Sequence, residues 1–230
     1  MNIQATRKTM PNFVVIGAPG SGKGTLCEQL TQLESITHVV ASDLIKEYAY
    51  SDTVSKEIRE EGQRAIEKGV LVSDSYITKL IDLKLKSLPN NQSVIFDGYP
   101  RTKGQADDLL SLTNIDYVIN LNVPEHVIKK RLMNRHVCAD CGSIWNVKTK
   151  PTTVHGVCDH CGGKTNQRKD DLDNEAVTVR LTSYYQKTAN VAKHIVKKNG
   201  TLIDINITEE TSPEDVYYQV MRSITAGEQA

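Results

Sequence analysis

Apolar and polar positions follow two rhythms along this chain. The runs Phe13 to Ile16, His38 to Val40, Ser93 to Phe96, Tyr117 to Leu121 and Leu202 to Ile205 are short and rich in β-branched residues, as in strands buried on both faces. Between them lie longer stretches of helical period, near 23–34, 54–68, 75–87, 103–112, 125–135, 174–199 and 213–225. In 174–199, the residues Val177, Leu181, Tyr184, Thr188, Val191 and Ile195 recur at alternating spacings of four and three, which predicts one long helix with one buried stripe. Strand and helix in alternation predict a parallel sheet covered on both faces.

Two stretches break this alternation. One is a charged helical insert around 46–72, and the other is the Cys/Gly/Thr-rich block 136–173, which has little apolar period. Both read as mobile appendages on a core. A chain of 230 residues suits one α/β domain with such excursions. The division expected is a core of 1–39, 73–134 and 174–230, an insertion at 40–72 and a second at 135–173.

Charge narrows the partners. Lys+Arg and Asp+Glu are equal at 28 each, so no global field draws the chain to nucleic acid or to an anionic membrane. Aromatic residues are only 5%, which also argues against a nucleic-acid-binding zinc ribbon. The opening MNIQATRKTM has no apolar leader core and no run is long enough to span a bilayer, so a cytoplasmic protein is expected.

The candidate chemistry begins at "GAPGSGKGT", directly after the first apolar run. Gly17, Gly22 and Lys23 satisfy G-x-x-x-x-G-K, in which glycines let backbone N–H groups turn onto phosphate oxygens and the lysine reaches the outer phosphates. The general pattern then has a metal-holding hydroxyl, whereas this chain has Gly24 and only afterwards Thr25. Cys27 reads as a small core residue of the following helix. A second group is expected at the carboxyl edge of the sheet, and "VIFDGYPRT" supplies it. Asp97 ends a buried strand, where it can orient a hydrated Mg²⁺, and Arg101 follows a Gly-Tyr-Pro turn toward phosphate.

Phosphoryl transfer needs positive charge converging from several segments. Arg131 and Arg135 are four apart on a predicted helix, hence on one face. Arg168 opens "RKDD", and Arg180 borders the apolar stripe of the long predicted helix. Separately, Cys138, Cys141, Cys158 and Cys161 read C-x2-C-x16-C-x2-C, the spacing of a four-thiolate zinc knuckle, with a glycine after each pair. Such a closed site would be structural, replacing a core that so short a block could hardly build. His136, His155 and His160 lie nearby as possible substitutes.

GxPGxGKGT and DGYPRT resemble the adenylate kinase family of nucleoside monophosphate kinases, and the match runs from about Phe13 to Val220. The resemblance implies a P-loop nucleoside triphosphate hydrolase-like fold with a five-stranded parallel sheet, an NMP-binding insertion and a zinc-containing lid. It implies transfer of the terminal phosphoryl group of ATP, carried with Mg²⁺, onto AMP, and a monomer as the default state. Gly20, Ser21, Gly22, Lys23, Gly24 and Thr25 match the ATP phosphate loop, and Arg131 matches the residue packing on the ATP base. Ile144 and Trp145, followed by Asn146, replace the family's common Tyr-His pair near ATP. Lys23, Arg101, Arg135, Arg168 and Arg180 match the catalytic cations, with Asp170 and Asp171 as lid carboxylates that pair with arginines in the closed state. The lid is then expected to swing over ATP as one body and keep water out.

The acceptor site departs from the family pattern. Where the family has S-T-G-D-x-x-R, this chain reads "VASDLIK", placing Ala41 and Ser42 at the base and Lys46 at the phosphate. Lysine keeps the charge but loses the bidentate fork. Val70, Leu71 and Val72 match the pocket lining, Gly98 and Arg101 its floor, and Gln105 the residue reading adenine; Arg168 and Arg180 match groups reaching the acceptor phosphate. AMP is the expected acceptor. A kinase for UMP or CMP, or an ATP-binding zinc protein that transfers little, are the alternatives the residues leave open.

Overall fold

The structure is a computed structural model of the chain and describes residues 11–32, 36–68, 70, 72–89, 92–198 and 200–227. The apolar runs form β1 (Phe13–Gly17), β2 (Ile36–Val40), β3 (Ser93–Asp97) and β4 (Tyr117–Asn122). The cysteine block contributes β5 (Arg135–Cys138), β6 (Ile144–Asn146) and β7 (Thr165–Gln167), and the last apolar run is β8 (Thr201–Asn206). Five strands make one wholly parallel sheet in the order β2-β3-β1-β4-β8. Its central strand β1 is buried along its whole length, as a strand covered on both faces must be.

The helices are α1 (Lys23–Leu30), α2 (Ala41–Ala49), α3 (Lys56–Lys68), α4 (Asp74–Ser87), α5 (Lys103–Leu112), α6 (Glu125–Met133), α7 (Lys169–Leu172), α8 (Asn174–Ser183), α9 (Val191–Val196) and α10 (Pro213–Gly227). Alternate strand residues feed two separate cores. Val14, Ile16, Val94, Phe96 and Val118 pack with Leu80, Ile81, Leu109 and Ile195, whereas Phe13, Val15, Ile95, Ile119 and Ile203 pack with Leu26, Leu30 and Val220. The pleat sorts consecutive side chains to opposite faces, so one apolar run serves both layers. Each fully buried Leu, Ile or Phe contributes on the order of 2 kcal/mol of transfer free energy.

Several predicted boundaries are corrected. The long helix expected over 174–199 is interrupted by a π-helical turn at Tyr184–Thr188, closed by the Ala189 N–H donating to Tyr184 O at 2.9 Å. The reason lies in the stripe itself. Val177 and Leu181 pack with Ala18, Ile128 and Leu132 under the glycine loop, while Val191 and Ile195 belong to the main sheet core, and one extra residue in the turn changes phase between them. It also lets the Thr188 hydroxyl donate to Arg101 O at 3.0 Å. The helix predicted over 125–135 stops at Met133, so Arg135 opens a strand and does not share a helix face with Arg131.

The block 136–173 is more ordered than its composition suggested. β6 and β7 pair antiparallel to either side of β5, forming a small sheet of their own. In the other insertion, helix begins at Ala41, directly after β2, and α2 packs on α3. Gly62 is required there, because a Cβ would stand 2.6 Å from the Tyr76 hydroxyl and 3.0 Å from Ala49 Cβ. The Tyr76 hydroxyl donates to Ile58 O at 2.9 Å, tying α4 to α3. Among the described residues no helix is long and apolar enough to cross a membrane. Leu71, residues 33 and 34 of the first predicted helix, and the opening MNIQATRKTM lie outside the described residues.

Candidate active site

Residues 18–22 turn the chain from β1 into α1 at the carboxyl edge of the sheet. Gly20 (φ 83°) and Gly22 (φ 102°) take the left-handed conformation that L side chains rarely adopt, and a Cβ on Gly20 would meet Leu132 Cδ2 at 2.9 Å. Lys23 folds back over this turn, its Nζ donating to Gly17 O at 2.8 Å and Ala18 O at 3.0 Å. Burial lowers the Lys23 ammonium, the Asp97 carboxylate opposes that shift, and Arg101 and Arg135 reinforce it. Ser21 is buried with its hydroxyl unpartnered, and Thr25 is half-buried. Arg131 leans on the loop, Nη1 to Ser21 O at 3.3 Å.

An ideal Cβ at Gly24 would make only ordinary contacts, 3.6 Å from Ile144 Cδ1 and 3.8 Å from Asp97 Oδ2, so α1, β6 and β3 meet around this position. Asp97 ends β3 with its side chain only 14% exposed. Burial pushes its carboxyl upward, but His38, Lys23 and Arg101 together outweigh this and hold it below the usual carboxylate range. A buried anion beside Lys23 and Arg101 at the mouth of a glycine loop suits a hydrated Mg²⁺ carried by a nucleotide.

The arginines come from four segments. Asp171, whose side chain is fully buried, accepts from Arg135 Nε and Nη2 at 2.7 Å each and from Arg180 Nη1 at 2.8 Å. Burial raises the Asp171 carboxyl, but the hydrogen bonds from the two guanidiniums reverse the shift and hold it low. Arg168 is more exposed and pairs with Asp170 at 3.0 Å. Charge couplings join all five cations: Lys23 with Arg101 and Arg135, Arg101 with Arg180, and Arg135 with Arg168 and Arg180. Arg135 and Arg180 thus converge, Arg135 from the start of strand β5 where a helix was expected, and Arg180 from α8, the first part of the long predicted helix.

Directly after β3, Gly98 turns at φ 75°, and a Cβ there would lie 3.1 Å from Arg101 Nη2 and 4.0 Å from Ala41 Cβ of the 40–72 insertion. Arg101 Nε donates to Gly98 O at 2.8 Å. Gln105 is buried with its amide orientation fixed: Oε1 accepts the Arg101 backbone N–H at 2.7 Å, and Nε2 donates to Asp74 Oδ1 at 2.7 Å. Reversing that amide would set a donor against a donor and an acceptor against an acceptor. Ser42 is exposed, Lys46 extends into solvent and pairs with Asp43 at 3.1 Å, Val70 is exposed and Val72 packs partly on the core. Asp74 is a residue that sequence reasoning missed; its signal was a carboxylate opening a helix beside the predicted pocket lining.

Trp145 is placed differently from its neighbour Ile144. It is 6% exposed, packs with Cys138 and Cys158, and meets His160 edge-on at 5.3 Å. Successive strand residues face opposite ways, so only Ile144 reaches the start of α1 while the indole fills the core beside the small sheet. The expected contact of Trp145 with nucleotide is corrected accordingly.

The four cysteines are brought together. Their sulfurs lie within 4.8 Å of one another, with Cys138 to Cys161 at 3.4 Å and Cys141 to Cys158 at 3.7 Å, close to the roughly 3.8 Å edge of a tetrahedron of Zn–S bonds. Gly142 and Gly162, at φ 75° and 76°, make the two knuckle turns. The Ser143 hydroxyl, first among its neighbours, lowers the Cys141 thiol to about 6. The donor set fits a closed zinc site.

The adenylate kinase family model matches residues 15–200. Curated relatives named adenylate kinase include that of Borrelia turicatae, 35% identical over 199 residues, covering 86% of this chain and 92% of the relative. The Halobacterium salinarum protein is 32% identical over 215 residues, covering 93% and 96%, and that of Caldicellulosiruptor bescii is 32% identical over 217 residues, covering 92% and 98%. With a glycine loop, a buried carboxylate and converging arginines at one sheet edge, and these matches over most of its length, the chain belongs to the adenylate kinase family of phosphotransferases.

Proposed function

We propose that this chain moves the terminal phosphoryl group of Mg·ATP onto AMP, using cations drawn from the core and from two closing insertions. One observation carries the assignment of residues: a single buried carboxylate, Asp171, holds Arg135 of the lid strand and Arg180 of α8 beside the phosphate loop. Phosphoryl transfer asks for dispersed positive charge more than for a covalent nucleophile.

In this reading residues 20–25 hold the ATP phosphates, with Lys23 leaving its two carbonyls for the β and γ oxygens. Arg131 packs on the base and Ile144 closes on Gly24. Asp97 orients the water shell of Mg²⁺, which supplies charge neutralisation when bound with ATP. Arg101 and Arg180 hold the acceptor phosphate, Arg135 and Arg168 the migrating group, and Asp171 and Asp170 pre-position them. Ala41, Ser42, Lys46, Val70 and Val72 line the acceptor pocket, and Gln105 presents one fixed N–H and one fixed lone pair to the base. The insertions 40–72 and 135–173 are the moving parts, the latter held by zinc on Cys138, Cys141, Cys158 and Cys161.

A coupled assay with Mg·ATP and a panel of monophosphates tests this. AMP should be phosphorylated well ahead of UMP and CMP. Preference for a pyrimidine acceptor, or tight ATP binding with no transfer, would reject it.

A further inference from the structure

Behind the phosphate loop three side chains from separate segments meet in a way that the proposed reaction does not use. Cys27 Sγ, on α1 four residues past Lys23, lies within 4.8 Å of both a ring nitrogen of His38 and a carboxylate oxygen of Asp97, which are themselves within that distance of each other. The parallel register explains the meeting: Val40 pairs with Asp97 and His38 with Ile95, so His38 and Asp97 sit two steps apart on neighbouring strands, under the first turns of α1.

Two details point to a ligand. His38 Nε2 is buried and has no hydrogen-bond partner. It stands 3.5 Å from Asp97 Oδ2, beyond a good hydrogen bond but near the roughly 3.3 Å separating two nitrogen or oxygen ligands on a tetrahedral zinc. A buried polar atom without a partner is costly, and a cation between these groups would remove that cost. The neighbouring ammonium of Lys23 is tied to Gly17 O and Ala18 O, so it does not occupy the gap.

We propose that Cys27, His38 and Asp97 form a second transition-metal site, taking Zn²⁺ or Co²⁺ through one sulfur, one imidazole nitrogen and Asp97 Oδ2. On binding, the Cys27 thiol gives its proton to solvent as the S–metal bond forms. Three protein ligands leave a fourth position open, unlike the four-cysteine set. Cys27 is fully buried, whereas His38 and Asp97 are 22% and 14% exposed, so the ion arrives from the nucleotide side. The same Oδ2 atom faces the space beside Gly24, so an ion captured there takes Asp97 away from the hydrated Mg²⁺ of the nucleotide. The site is inhibitory. It is independent of which monophosphate is the acceptor.

The test uses the full chain with its lid already loaded with zinc. Co²⁺ titration without nucleotide should add one equivalent with a thiolate-to-cobalt charge-transfer band, and saturating Mg·ATP should suppress it. Cys27→Ser and Cys27→Ala should lose the band, and their cobalt affinity should fall at least about tenfold. Preincubation with Zn²⁺ should slow transfer by the parent chain but not by either variant. A band of equal strength in both variants would come from exchange in the lid and would overturn the proposal. So would the absence of a second equivalent in the parent.

Discussion

Arg135 and Asp171 form a two-point ion pair, Nε to Oδ2 and Nη2 to Oδ1 at 2.7 Å each, with the carboxylate fully buried and the guanidinium nearly so. Asp171 Oδ1 also accepts from Arg180. One anion thus restrains two cations that would otherwise repel each other beside the phosphate loop. In the proposed reaction this is preorganisation: a fixed carboxylate sets the direction of both guanidiniums.

Asp171→Asn should therefore destabilise the fold by about 2–3 kcal/mol, because two partly buried guanidiniums lose their counter-charge while one amide oxygen remains to accept. The pH dependence has a definite sign. The folded-state carboxyl lies below its unfolded value of about 3.9, so its contribution is fully present above that value and is lost as pH falls through the lower, folded one. Denaturant unfolding should show a constant gap between parent and variant at neutral pH that closes under acid. A gap that widened on acidification would contradict the assignment.

The chain has one tryptophan, and Trp145 is buried against the cysteine cluster, so its fluorescence reports the lid alone. Stripping metal with a strong chelator should shift its emission to the red and abolish transfer, while far-ultraviolet circular dichroism keeps the signal of the core. Metal loss with an unchanged emission and unchanged turnover would show that the cysteines do not support the lid.

Asp74 fixes the direction of the Gln105 amide, and Gln105 is proposed to face the acceptor base. Asp74→Ala should raise KM for AMP by about tenfold while the KM for ATP stays unchanged, since a freed amide can rotate to the wrong pattern of donor and acceptor. Equal changes in both KM values would instead indicate general loosening of α4.

The sheet was legible from sequence because its five apolar runs are buried on both faces, where composition dominates. The glycine loop and the cysteine spacing were legible because backbone geometry and metal coordination restrict residue types sharply. What stayed hidden depended on tertiary phase. The stripe from Val177 to Ile195 is continuous in sequence, yet its halves belong to different cores, and only packing shows the π-helical turn between them. Arg135 looked helical because the period of α6 runs up to it, but its backbone pairs with Asn146 in the lid sheet. Trp145 was read with Ile144 as a unit, although strand alternation sends them to opposite sides. The meeting of Cys27, His38 and Asp97 needed strand register, which no single segment carries.

The central claim, that separate arginines gather on the migrating phosphate, is tested most directly at Arg168. Its side chain is 44% exposed and its partner Asp170 is exposed too, so removing it costs the fold little. Steady-state transfer from Mg·ATP to AMP should be measured for Arg168→Ala at saturating substrates, with the thermal midpoint as control. The account predicts a kcat at least about a hundredfold lower with an unchanged midpoint; a kcat within a few-fold of the parent would contradict it.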